Sequence, residues 1–146
     1  MYPAEEETAL WVALNLAQRS TYGAMDAALK AKGLPPLRWY DVLWAIERAS
    51  GEGLRPFEME KSLLFEQSNL SRLLRRMTGE GLVEESVFQD DRRGKVLRIT
   101  QKGRQVREQM WKIYGPLIHK HMCRLSNGYD LEDIALALNS LIGRQE

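Results

Sequence analysis

Between residues 67 and 100 the hydrophobic period of this chain switches from helical to strand-like, and that switch restricts the fold more than any other feature. Leu70, Leu73, Leu74 and Met77 recur at i, i+3, i+4 and i+7, the spacing of one buried helix face. The pattern predicts a helix from Gln67 or Ser68 to Thr78, ended by Gly79 and Gly81. Two short strands follow, over residues 82–88 and 95–100, joined by a polar turn of hairpin length at residues 89–94. A helix feeding a tight hairpin needs a second layer to bury the shared apolar side.

That layer is legible upstream. Residues 5–32 have the spacing of a long helix, with Leu10, Ala13, Leu14, Ala17, Met25, Ala28 and Leu29 on one stripe, stopped by Gly33-Leu34-Pro35-Pro36. Residues 37–49 predict a second helix, with Trp39, Val42, Leu43 and Ile46 inward. Pro56 suits the first turn of a short helix reaching about residue 64. Downstream, residues 102–122 predict a long helix with Gly115-Pro116 as a kink, and Asp130 caps a last helix carrying Leu131, Ile134, Leu138, Leu141 and Ile142. The expected fold class is mainly α with a small β-hairpin wing: a winged helix-turn-helix with long flanking helices. Those flanking helices are too apolar along one stripe to stand alone, so they pack on each other or on a second copy. At 146 residues, the chain suits one domain, 1–146, with a winged lobe over about 37–100.

Charge singles out the same region. The formal net charge is only +1, yet residues 67–104 hold nine Lys or Arg against five acids, net +4, leaving −3 for the remainder. On the predicted helix Ser68, Arg72 and Arg75 lie opposite the buried stripe, with Asn69, Ser71 and Arg76 on its flanks. Short polar side chains near a helix start reach base edges in a major groove, and arginine grips guanine or phosphate. An ordinary basic surface helix has the same pattern. The hairpin tip, with Arg92, Arg93 and Lys95, adds a second basic element beside it, suited to the electronegative minor groove.

Other candidate chemistry is thin. His119 and Cys123 share a helix face but His121 points away, too few ligands for structural zinc, so neither metal nor cofactor is expected. Cys123, the single cysteine, excludes an internal disulfide and fits a reducing compartment; only Lys120 and Arg124 stand near it to activate a thiol. No nucleophile–base pair, carboxylate dyad or phosphate-cradling glycine loop is present, so the chain is not expected to be an enzyme. The N-terminus is acidic without the order of a secretory signal, and no segment approaches the roughly 20 apolar residues of a membrane span, so a cytoplasmic location and no membrane contact are expected.

The stretch Ser68-Asn69-Leu70-Ser71-Arg72-Leu73-Leu74-Arg75-Arg76-Met77, then Gly81-Leu82-Val83, then Asp91-Arg92-Arg93-Gly94-Lys95 running to Thr100-Gln101-Lys102-Gly103, resembles the MarR family of bacterial regulators. The Asp-x-Arg wing and the strand ending in Thr-x-x-Gly are its most specific parts. The resemblance implies a homodimer joined by helices over about 5–32 and 102–143, binding double-stranded DNA at a pseudo-palindromic operator, usually as a repressor. It makes Ser68 to Met77 the recognition helix, Arg93 the minor-groove residue and Asp91 a group that orients a neighbouring arginine. It also implies an effector crevice between the dimerisation helices and the lobe, which Trp11, Trp39 and Trp111 should border, taking a small aromatic ligand. Filling helix junctions is the plainer use of such tryptophans. One departure is Arg55, which stands where the family often has a Ser or Thr cap before Pro56. A winged-helix module for protein association, its basic face on an acidic partner, is the alternative.

Overall fold

The computed structural model describes residues 1–87 and 94–143, with the backbone alone at Ser50. The elements run α1 (Glu5–Ala31), α2 (Leu37–Arg48), a 3-10 turn (Ser50–Glu52), α3 (Pro56–Ser62), α4 (Leu70–Gly79), β1 (Val83–Val87), β2 (Lys95–Ile99), α5 (Gln101–Met122) and α6 (Leu131–Leu141). This is the expected winged helix-turn-helix order. The wing strands pair antiparallel, from Val83 opposite Ile99 to Val87 opposite Lys95.

Local chemistry sets most boundaries. Three glutamates open α1, where the helix dipole favours negative charge, and the Glu7 carboxylate accepts the Ala4 N–H at 2.6 Å. Pro56 occupies the first turn of α3, and Arg55 before it makes no side-chain cap; its own N–H donates to Glu58 at 3.4 Å. The Asp130 carboxylate accepts the N–H groups of Glu132 and Asp133, the expected cap of α6. At the expected kink the helical assignment of α5 runs unbroken through Pro116.

The Thr-x-x-Gly sequence acquires a physical meaning here. Thr100 caps α5 by accepting the Gly103 N–H at 3.0 Å, and its hydroxyl donates to the Gly81 carbonyl at 2.6 Å. Gly103 lies so close to the Leu82 carbonyl that an added Cβ would sit 2.1 Å from that oxygen. The strand-to-helix corner is thereby welded to the turn after α4. A further pairing was not expected: Leu54 and Leu97 exchange both backbone hydrogen bonds, at 2.9 and 2.8 Å, adding an isolated bridge beside β2. Gly53, at φ 75°, permits that approach, since a Cβ there would meet the Val96 side chain at 2.2 Å.

Two apolar cores result. One binds the lobe together: Trp39, Val42, Leu43 and Ile46 of α2 against Met59, the Leu73–Leu74–Met77 stripe of α4, and Val83, Leu97 and Ile99 of the wing. The second joins α1 and α5 to the start of α2 through Met25, Leu29, Leu37, Tyr40, Met110 and Tyr114. Neither reaches the ends of the long helices. Leu10, Trp11, Val12 and Leu16 of α1 are exposed, and α6 has no buried residue, with Leu136, Leu138 and Leu141 open to solvent. Of the apolar stripe expected on α1, only its second half finds a partner within one chain. Among the described residues no helix is long and apolar enough to cross a membrane.

Candidate nucleic-acid interface

α4 is strongly two-sided. Leu73, Leu74 and Met77 are buried and Leu70 partly so, whereas Ser71, Arg72, Arg75 and Arg76 are exposed. The helix begins at Leu70, two or three residues later than the pattern suggested: Ser68 and Asn69 form the turn before it, both exposed. Asn69 holds the N-cap position without a side-chain cap, and its carbonyl accepts the Leu73 N–H at 3.0 Å. Apolar spacing located the buried stripe correctly and said nothing about the first two polar residues.

The arginines of this face differ in how they are held. Arg76 lies over the Trp39 ring, 5.3 Å from its centroid, and its Nε is 3.3 Å from Glu80 one turn on. Among the described residues no carboxylate lies within ion-pair distance of Arg72 or Arg75. Two shallow grooves flank the start of α4. Glu60 of α3 lines one with Gln67 to Arg72 and Arg75; Arg38 and Trp39 of α2 line the other with Ser68, Asn69, Arg72 and Arg76. Neither Arg38 nor Gln67 was singled out from sequence, because Arg38 lies on another helix thirty residues away.

On the wing, Lys95 is exposed at the start of β2 and pairs with Glu85 across the hairpin at 3.3 Å. An exposed pair of this kind is worth at most about 1 kcal/mol and yields readily to a stronger anion. Asp91, Arg92 and Arg93 lie outside the described residues.

A separate cavity of about 1310 Å³ opens between α2, the segment after α3, and α5. Tyr40 and Trp44 of α2 and Trp111 and Tyr114 of α5 supply its aromatic walls, and Arg48, Lys61, Arg107 and Lys112 stand around it against Asp41 and Glu108. The rings pack on one another: Tyr40 stacks on Trp111 at 5.8 Å and meets Tyr114 edge-on at 5.1 Å. Burial raises the pKa of Tyr40 and Tyr114 above the phenol value of 10.0, so both hydroxyls stay protonated at neutral pH.

The tryptophans are distributed differently from the expectation: of Trp11, Trp39 and Trp111, Trp111 alone borders this cavity, with Trp44 beside it. Trp39 belongs to the lobe core at 3% exposure, and Trp11 lies on the uncovered half of α1 at 68%. Trp39 sits on the Val42–Leu43–Ile46 stripe, which turns toward α4 and the wing; the cavity side of α2 is the stripe Tyr40, Trp44, Arg48, about 100° away. The matching stripe on α5 is Arg107, Trp111, Tyr114. Two aromatic–cationic stripes at i+3 and i+4 spacing were the sequence signal that would have located the cavity.

Asp41 is the one buried charged residue among those described. Its carboxylate accepts the N–H groups of Leu64 and Phe65, at 3.0 and 2.7 Å, and so moors to α2 the segment that leads into α4. Asp26 does the same for α2 itself, accepting the Leu37 N–H at 2.8 Å.

Comparison with known proteins agrees with this arrangement. Residues 32–94, spanning α2 to the wing, match the model of the MarR family. The transcriptional activatory protein BadR of Rhodopseudomonas palustris is 26% identical over 117 residues, which cover 79% of this chain and 64% of that protein. AbsC, a MarR family transcriptional regulator from Streptomyces coelicolor, superposes with a TM-score of 0.80 at 20% identity over 97% of this chain and 93% of its own. A mutant MarR from E. coli, solved with operator DNA, superposes with a TM-score of 0.70 at 22% identity over 94% of each chain. Helix order and the matched segment converge: residues 32–94 are similar to the MarR family, and the chain has the fold of its solved members.

Proposed function

We propose that the protein binds double-stranded DNA sequence-specifically as a homodimer and represses transcription from a pseudo-palindromic operator. The observation that carries the proposal is the exposed face of α4, where Ser71, Arg72 and Arg75 stand together and, among the described residues, neither arginine has a carboxylate within ion-pair distance. Ser68 and Asn69 in the preceding turn, Arg76 on the flank and Lys95 of the wing extend that face, and Arg92 and Arg93, outside the described residues, are assigned to it as part of the proposal. In this reading α4 enters the major groove, Arg93 enters the adjacent minor groove and Asp91 orients a neighbouring arginine.

Residues 1–146 act as one unit in this proposal: helices over about 5–32 and 102–143 dimerise, and residues 37–100 read DNA. The uncovered apolar faces of α1 and α6 support a second copy as their partner, since apolar patches of that extent mark interaction surfaces. Two lobes then reach half-sites about one helical turn apart. The cytoplasm is the expected compartment. BadR is named an activatory protein, so the direction of regulation is read separately from binding.

The cavity lined by Tyr40, Trp44, Trp111 and Tyr114 is the proposed effector site. Its stacked rings favour a small aromatic ligand, and its surplus of cationic side chains favours an acidic one. Binding there would alter how α2 rests on α5 and so the separation of the two reading helices.

Selection of bound duplexes from random DNA tests the proposal. Enrichment of one inverted repeat is expected, with Arg93→Ala weakening its binding strongly, followed by a reporter assay for sign and a screen of aromatic acids for release. No retention of any duplex at low salt would favour a protein-association module instead.

A further inference from the structure

The groove between the first turn of α2 and the turn before α4 has a composition that the reading face does not. Its walls are Arg38, Trp39, Gln67, Ser68, Asn69, Arg72, Leu73 and Arg76, enclosing about 230 Å³. That set holds three guanidinium groups and three neutral polar side chains, and no carboxylate. Glu80 pairs with Arg76 from outside the groove, while among the described residues Arg38 and Arg72 have no ion-pair partner; like charges gathered in this way repel one another, a cost tolerated where an anion is to be received.

Each wall is also held in place. Arg76 lies over the Trp39 ring, 5.3 Å from its centroid, and is paired with Glu80. Gln67 donates its side-chain N–H to the Arg38 carbonyl at 3.3 Å, joining α2 to the turn ahead of α4. One residue earlier, the Leu37 N–H is fixed to Asp26 of α1. Arg38 therefore extends from a backbone anchored on two sides, while among the described residues its side chain has no ion-pair partner.

We infer that this groove is a phosphate site for the DNA backbone and that Arg38, outside both the helix-turn-helix pair and the wing, is a phosphate-contacting residue. The inference rests on the DNA-binding proposal and deepens it. Arg72 faces both the groove and the exposed side of α4, so a phosphate gripped by Arg38 and Arg72 fixes how deeply α4 enters the major groove. A base edge is a poorer occupant: the groove lies to the side of α4, and its donors match a tetrahedral anion more than a planar donor–acceptor pattern.

The test is the salt dependence of affinity for wild type, Arg38→Gln and Arg38→Lys, on a selected operator duplex and an unrelated duplex between about 50 and 200 mM KCl. Arg38→Gln is expected to weaken both duplexes by a similar factor, about tenfold at the lower salt, and to flatten the log–log slope by about one. Arg38→Lys restores the slope, because a point charge still displaces a counterion. An unaltered slope in Arg38→Gln, or a loss confined to the operator duplex, overturns the inference and leaves the DNA proposal standing. Wild-type protein that binds neither duplex removes both.

Discussion

Arg107 of α5 grips the carboxylate of Glu47 on α2, its Nε and one terminal nitrogen reaching the two oxygens. The partners are 60 residues apart in sequence and only 12% and 20% exposed at the side chain. Arg107 also lies 5.0 Å from the centre of the Trp44 ring. Burial alone would lower the pKa of this guanidinium, but the hydrogen bonds and charge of Glu47 and Tyr40 raise it instead. One side chain thus joins the proposed reading lobe, the long helix beneath it and the wall of the cavity.

Removing one partner leaves the other half-buried and charged. Glu47→Gln is expected to destabilise the fold by about 1–2 kcal/mol, and Arg107→Met by about 2–3 kcal/mol. Urea denaturation of both single variants and the double variant closes a cycle, in which a coupling of at least about 0.5 kcal/mol is expected. Strict additivity would mean that the pair carries no interaction of its own.

Asp41 offers two oxygens to two backbone donors, and an asparagine retains only one acceptor oxygen. Asp41→Asn should therefore release either the Leu64 or the Phe65 N–H, costing about 1–3 kcal/mol. Hydrogen exchange reads this locally: faster exchange at residues 64–65 with a less protected start of α4 is expected. Unchanged protection there would show the segment to be held by packing alone.

The aromatic cluster predicts an alkaline limit. Burial raises the pKa of Tyr22, Tyr40 and Tyr114 above 10.0, so folding favours their protonated form. That contribution is complete below the ordinary phenol value and is lost as pH climbs through the raised values. Thermal stability should hold to about pH 9.5 and then decline, with a shallower decline in Tyr114→Phe. Phenolate absorbance rising at the ordinary phenol pKa for all five tyrosines would contradict the burial argument.

The uncovered apolar faces give a test of assembly. Trp11→Glu or Leu141→Glu puts a charge on a surface that costs nothing in an isolated chain, since both sites are exposed there. In a dimer closed through α1 and α6, the same change desolvates a carboxylate and should weaken association by about 100-fold or more. Sedimentation velocity distinguishes these: a dimer that becomes monomeric while its circular dichroism is retained is expected, and an unaltered species would place the interface elsewhere.

How much of this was legible in the sequence varies with range. The buried stripe Leu70–Leu73–Leu74–Met77 and the hairpin followed from periods of 3.6 and 2 over neighbouring residues, and both stand. The start of α4 did not, because Ser68 and Asn69 fit a cap and a first turn equally well on polarity. The Leu54–Leu97 bridge was hidden because a one-residue pairing has no period. The cavity was not legible because it forms where α2 meets α5, and tryptophan as a residue type does not say which stripe of a helix it occupies: Trp39 faces the lobe core, whereas Trp44 of the same helix is exposed and borders the cavity. Arg38 was invisible for a similar reason, since a lone exposed arginine gains meaning only from the neighbours that folding brings to it.

The most direct measurement is fluorescence anisotropy of a duplex carrying the selected inverted repeat, titrated with wild type, Ser71→Ala and Arg72→Ala against single-base variants of each half-site. Binding of two chains per duplex is expected, with Arg72→Ala losing about 1–3 kcal/mol and at least one alanine variant no longer distinguishing a base pair that the wild type does. Equal affinity of all three proteins for every duplex would contradict the claim that α4 reads DNA.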